Sequence, residues 1–235
     1  MGDLYLIRHA QASFGKPDYD ELSEVGFHQA RLLADFFEQT GKTFDALYCG
    51  EMKRHRDTAA ALSQKPALFS GDPAPRLLSE FNEFDLATMV NIQLPRLIRE
   101  KPSLEADLEK LFTDPHILYR VLNLSLSRWI NNPEGLEGVE TWPAFTRRVR
   151  EGLARILLES GKGKTVALVT SGGPLAALLQ KALSLPDLDA VDLAWQIRNA
   201  SVSTFKFSEE RFTLSSYNSV AYLELQRDPS LITYR

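Results

Sequence analysis

The chain has 235 residues, a formal net charge of −4, 44% hydrophobic residues and 25% charged residues. Those values exclude a disordered chain, a fibre and a disulfide-rich mini-protein, and the length can bury a substantial core. Cys49 is the only cysteine, mild acidity gives no general basic footprint for nucleic acid, and no apolar run approaches the roughly 20 residues that span a bilayer.

The opening MGDLYLIRHAQ carries Asp3 and Arg8, so it does not read as a secretory signal, and a cytoplasmic location is expected. Within it, Leu4-Tyr5-Leu6-Ile7 is a short apolar run that reads as a buried strand. From Ser23 to Thr40 the pattern becomes helical, with Phe27, Ala30, Leu33, Ala34 and Phe37 at steps of three and four. Ser23 is the expected N-cap and Gly41 the expected stop. Phe44–Tyr48 reads as a second strand and Arg54–Leu62 as a second helix.

Residues 86–138 carry helical patterns and no clear strand. Leu94, Leu97 and Ile98 form one stripe, and Leu108, Leu111 and Phe112 another. Such a stretch predicts a helical cap inserted into a single domain spanning 1–235. Phe145–Leu158 is amphipathic, Thr165–Val169 reads as a central strand and Pro174–Leu183 as a helix. Thr204–Phe207 and Phe212–Ser216 predict a hairpin around Glu209-Glu210, and Tyr222–Leu225 an edge strand. The alternation predicts an α/β fold, a three-layer α/β/α sandwich on a mostly parallel sheet.

Arg8-His9 follows the first strand directly, and in open α/β sheets ligands bind beyond the carboxyl ends of the strands. A neutral imidazole is a nucleophile, and a guanidinium fork matches phosphate oxygens. An Arg-His dipeptide alone also suits a solvated loop. Gly163-Lys164-Thr165 fails as a phosphate-binding loop, because Leu158 stands where the earlier glycine is required.

Three segments together, LIRHAQAS, DYDELSEVGFHQARLLADFF and FDALYCGEMKRHRDTAAAL, resemble the histidine phosphatase superfamily, also called phosphoglycerate mutase-like. Arg8-His9-Ala10-Gln11 matches its Arg-His-Gly motif, Leu22-Ser23-Glu24-Val25-Gly26 its Leu-Ser-x-x-Gly motif, and Met52–Ala59 the helix that carries its second arginine. The resemblance implies a phosphomonoester hydrolase working through a phosphohistidine on His9, with Arg8 and Arg54 clamping phosphate. It implies a small phosphorylated substrate or phosphate as ligand and no metal or cofactor. Arg56, two helical residues on from Arg54, faces about 200° away and reads as surface charge.

For the general acid, Glu83 and Glu80 compete; Glu83 is favoured because Phe81-Asn82-Glu83-Phe84-Asp85 resembles the family's Leu-Asn-Glu-Phe-Asp form. After the Thr165–Val169 strand the family places a second histidine, and this chain has Thr170-Ser171-Gly172-Gly173-Pro174. Its histidines are His9, His28, His55 and His116, so none follows that strand. His55 is expected on another face from Arg54. Ser171 keeps one neutral donor, and backbone N–H groups at Gly172 can hold phosphate at a helix start. The change allows weakened catalysis, or a non-catalytic phosphoester-binding scaffold as the alternative; a phosphoglycerate-type mutase is less favoured. Ala10 and Gly15 also depart from the family pattern, and Asn199 is expected to pack near the site.

Overall fold

The computed structural model describes residues 1–13, 20–111, 113–132, 134–208 and 210–234, Pro115 by its backbone alone. Gly15, Phe112 and Glu209 lie outside the described residues. Two compact units divide the chain: Met1–Asn82 with Arg148–Arg235, and Glu83–Arg147.

In chain order the first unit runs β1 (Gly2–Arg8), α1 (Glu24–Gln39), β2 (Ala46–Cys49), α2 (Lys53–Ser63) and β3 (Arg76–Leu77). The second unit holds α3 (Leu86–Glu100), α4 (Ser103–Asp107) and α5 (Pro115–Ile130). Helix α6 (Trp142–Ser160) leads back to the first unit, which continues with β4 (Thr165–Thr170), α7 (Gly172–Leu183) and α8 (Asp187–Trp195). It closes with β5 (Val202–Phe207), β6 (Phe212–Ser219) and α9 (Ala221–Glu224).

The six strands form one mixed sheet in the order β3-β2-β4-β1-β5-β6. The first four are mutually parallel, β5 runs antiparallel to β1, and β6 runs antiparallel to β5. Successive strand residues face opposite sides of a sheet. Ile7, Leu47, Cys49, Ala167 and Val169 accordingly meet Leu33 and Phe37 of α1, Ala59 and Leu62 of α2, and Tyr222 of α9 in one buried cluster. Tyr48 points to the other face, where its hydroxyl donates to Glu159 of α6 at 3.1 Å. Helices on both faces give the expected three layers.

Local chemistry explains the main elements. Ser23 caps α1 by accepting from the Gly26 N–H at 3.0 Å, and Gly41 takes a positive φ of 64° just past the helix end. The apolar stripe of α1 departs from expectation at Phe27, which is 40% exposed. Gln29 takes the buried place instead and spends its amide on the backbone, as described below. Tyr222–Leu225 is not an edge strand. Ala221–Glu224 is a helical turn that lays Tyr222 and Leu223 into the core; the short run lacks the period-2 alternation an edge strand needs. The exposed, two-residue β3 and the short helix α8 carried no pattern long enough to announce them.

Register sets up the site. Arg8 pairs with Thr170, and Cys49 with Val169. The carboxyl ends of β1, β2 and β4 therefore stop level with each other, and the next residues are His9, Gly50 and Ser171.

The second unit is helical throughout its described elements. Phe84, Trp129, Trp142 and Phe145 form an aromatic cluster, with Trp129 and Trp142 edge-to-face at 5.5 Å. Leu97, Leu104 and Val121 form a second apolar cluster across α3, α4 and α5. The expected insertion, 86–138, falls within this unit.

Candidate active site

His9 leaves β1 at the sheet's carboxyl edge and is only 4% exposed. Its backbone N–H donates to Thr170 O at 2.8 Å, and its carbonyl accepts from Asn199 Nδ2 and from the Ala200 N–H, each at 3.2 Å. The side chain is fixed too: Nδ1 lies 2.7 Å from Ala10 O. A carbonyl only accepts, so Nδ1 carries the proton and Nε2 the lone pair. Burial, then the charges of Arg54 and Arg8, hold His9 well below the usual histidine range. The imidazole is therefore neutral at physiological pH, the form able to attack phosphorus.

The loop after His9 is built by the motif residues around it. The Gln11 carbonyl accepts from the Ser23 N–H at 2.9 Å, and the Gln11 N–H donates to Gln29 Oε1 at 2.8 Å. Gly26 permits this approach: a Cβ there would sit 2.1 Å from the Gln11 carbonyl oxygen. Ala10 fits its crowded position. Its methyl packs with Leu22, Ala30 and Ala200, and its N–H donates to Thr58 Oγ1 at 3.0 Å.

Arg54 opens α2, is 4% exposed, and divides its fork. Nη1 donates to Asp20 Oδ1 at 2.7 Å and Nη2 to Ser171 Oγ at 3.4 Å. Asp20 also accepts from the Lys53 N–H at 2.7 Å, so it caps the start of α2. No sequence motif singled out Asp20. Arg8 donates through Nη1 to Ile197 O and through Nη2 to Tyr234 O, the latter at 2.9 Å. Arg56 is exposed.

His55 is a correction. Although one step along a helix turns the side chain by about 100°, Ser171 lies beyond the first turn of α2, where both side chains converge. His55 is fully buried, its Nε2 is 2.6 Å from Ser171 Oγ, and its ring centroid is 5.7 Å from that of His9. Gly50 makes the room, since a Cβ there would lie 2.2 Å from His55 Nδ1. Burial and the charge of Arg54 hold His55 well below the usual histidine range. The signal available in sequence was the triple Gly50, His55 and Ser171, recognisable only once the strand ends are aligned.

Ser171 occupies the N-cap position of α7, yet its side chain does not cap the helix. Its hydroxyl faces His55 and Arg54 instead. A Cβ on Gly172 would meet nothing within 4 Å, so this glycine is not required by tight packing. Asn199 is fully buried and positions the His9 carbonyl.

The two acid candidates differ. Glu80 pairs with Arg155 at 3.4 Å, and Arg155 also holds Glu159 at 2.9 Å. Arg148 fixes the surrounding turn by donating to Ser79 O, Glu80 O and Asn82 O at 2.9–3.2 Å. Glu83 begins the second unit, and its Oε1 accepts from the Phe84 N–H at 3.2 Å. His116 lies exposed on α5 in that unit.

Among the described residues no group of three or more His, Cys, Asp or Glu side chains is arranged to hold a metal ion. Among them also, no helix is long and apolar enough to cross a membrane. The Cys49 thiol is buried and pushed up to about 12.

The family profile of the histidine phosphatase superfamily (branch 1) matches residues 4–116 and 118–220. No curated protein sequence matches the chain. Among solved structures, YhfR of Bacillus stearothermophilus is similar, at 19% identity and a TM-score of 0.64, covering 95% of this chain and 100% of that one. A phosphoserine phosphatase from Entamoeba histolytica, in complex with 3-phosphoglyceric acid, is similar at 20% identity and a TM-score of 0.65, covering 95% and 100%. The α-ribazole phosphatase of Shigella flexneri is similar at 19% identity and a TM-score of 0.64, covering 92% and 96%. At such identities the likeness is one of fold.

Proposed function

The chain belongs to the histidine phosphatase superfamily, and we propose that it hydrolyses small phosphomonoesters through a phosphohistidine on His9. One observation carries this reading: a buried His9 whose Nδ1 proton is spent on Ala10 O, leaving the Nε2 lone pair within the field of Arg54 and Arg8.

In the first step His9 Nε2 attacks phosphorus in line. The N–P bond forms as the P–O bond to the alcohol breaks, and a carboxylic acid gives its proton to the leaving oxygen. Glu83 is the proposed acid, on the match of Phe81-Asn82-Glu83-Phe84-Asp85 to the family's Leu-Asn-Glu-Phe-Asp form. In the second step water attacks phosphorus, its proton passes to the carboxylate, and the N–P bond breaks to release phosphate. Arg54, Arg8 and the backbone N–H of Gly172 are the proposed phosphate ligands. Each charge-assisted bond is worth about 1.5–3 kcal/mol. Residues 86–138 are the proposed source of substrate choice, as a helical cap insertion in a single domain spanning 1–235, and a cytoplasmic location is proposed.

The non-catalytic reading draws on a different observation, the Asp20 carboxylate already resting on Arg54. Hydrolysis of para-nitrophenyl phosphate across pH 5–8, with His9→Ala as control, separates the two. Turnover lost in His9→Ala supports the hydrolase. Phosphate binding without His9-dependent turnover supports the scaffold.

A further inference from the structure

The hydroxyl of Ser171 has one proton and two lone pairs. Arg54 can only donate, and its Nη2 points into one lone pair at 3.4 Å. The partner at 2.6 Å is His55 Nε2, which donates or accepts according to tautomer. The other ring nitrogen settles which. His55 Nδ1 is buried, has no hydrogen-bond partner among the described residues and abuts the bare Cα of Gly50. An orphaned buried N–H is rarer and costlier than an under-used acceptor. The proton therefore sits on Nε2, and His55 donates to Ser171.

Both lone pairs of Ser171 are then filled, and its own proton must point in a third direction. Donors feeding a hydroxyl also polarise it and strengthen what it gives. Resting on the phosphatase reading above, we propose that His55 is a positioning residue: it turns the Ser171 O–H outward as a donor to a phosphoryl oxygen at His9. Ser171 is the group that touches the phosphoryl; His55 acts through it. Helix α2 thus supplies an imidazole in contact with Ser171, which stands where the family pattern has a histidine. Gly50 belongs to the same device, since any side chain there would expel the ring.

The test compares Ser171→Ala, His55→Leu and His55→Gln, each checked for folding by thermal melting. Glutamine keeps an N–H donor near the Nε2 position; leucine keeps bulk without a donor. Ser171→Ala and His55→Leu are each expected to lower kcat on para-nitrophenyl phosphate about 10²-fold, the usual loss for a transition-state donor. The double variant should lose little more than either single change, because both remove the same bond. His55→Gln should stay within about tenfold of the native protein.

Native turnover in folded Ser171→Ala would overturn the proposal, as would a His55→Gln as impaired as His55→Leu. Should His55→Leu fail to fold, a folded His55→Gln as impaired as Ser171→Ala would overturn the proposal instead. If the native protein shows no His9-dependent turnover, the phosphatase reading fails by itself. Inorganic phosphate binding by calorimetry then judges the hydroxyl: at least tenfold weaker binding in Ser171→Ala and His55→Leu supports it, and unchanged binding overturns it.

Discussion

Asp20 and Arg54 meet through a charge-assisted bond, Oδ1 to Nη1 at 2.7 Å, while Oδ2 of the same carboxylate accepts from the Lys53 N–H. A carboxylate therefore already occupies the guanidinium that is proposed to hold phosphate. An arriving anion must share Arg54 and meets the repulsion of Asp20. Asp20→Asn keeps an acceptor for the backbone and removes the charge. Inorganic phosphate should then bind about tenfold tighter, an effect of about 1.4 kcal/mol. Calorimetry on both proteins checks this. Equal or weaker binding would mean that Asp20 serves the anion by holding Arg54 in place.

Glu83 and Glu80 can be separated by leaving group. An acid matters most when the departing alkoxide is a poor leaving group. Glu83→Gln should slow hydrolysis of an alkyl phosphate about 10²-fold or more and slow para-nitrophenyl phosphate much less. Glu80→Gln should leave both rates near native, since its carboxylate pairs with Arg155. The reverse pattern, measured as kcat on the two substrates, would move the acid to Glu80.

Two buried neutral histidines make stability depend on pH. His9 and His55 are both held below the usual histidine range, chiefly by burial. Between those lowered values and about 6.5 the unfolded chain binds more protons than the folded one. Stability is therefore complete above about pH 6.5 and falls as pH drops through that window. The slope reaches about 1.4 kcal/mol per pH unit for each histidine. Carboxylates such as Asp45, held low by its bond to Lys164, add their loss at lower pH. Urea midpoints at pH 7.5 and 5.5 should differ less in His55→Gln than in the native protein. An equal difference would remove His55 from the account.

Gly26 is a packing requirement with a functional reach. Gly26→Ala puts a methyl against the Gln11 carbonyl. Overpacking against backbone costs about 1–3 kcal/mol. In a chain of this size that lowers Tm by about 2–4 °C per kcal/mol. Because Gln11 belongs to the loop that holds His9, turnover of the folded variant should fall as well. A variant with native Tm and native kcat would show that the loop moves aside without consequence.

Sequence pattern reached β1, α1, α2 and β4 because each is a long or strongly apolar run beside a short motif. Motif spacing singled out Arg8, His9, Arg54 and Ser171 as candidates. It did not reach His55 as a member of the site: helical angles alone separate it from Arg54, and only the level ends of β1, β2 and β4 reveal the common target. Asp20 was invisible for a similar reason, its partner being 34 residues away. The helix at Ala221–Glu224 was misjudged because four residues carry too little periodicity to distinguish a turn of helix from an edge strand.

The nucleophile loop is fastened by the far end of the chain. Gln29 Nε2 donates to Leu231 O and to Thr233 Oγ1, both at 2.9 Å, and the Asn199 N–H donates to Thr233 O at 2.8 Å. Arg8 reaches Tyr234 O. The Gln29 and Arg8 contacts join residues 202 to 226 positions apart, so they close late, after shorter-range structure has formed. During synthesis His9 emerges first but gains its full setting only when residues 231–234 have left the ribosome. A chain that stops short of residue 231 therefore carries His9 without this fastening.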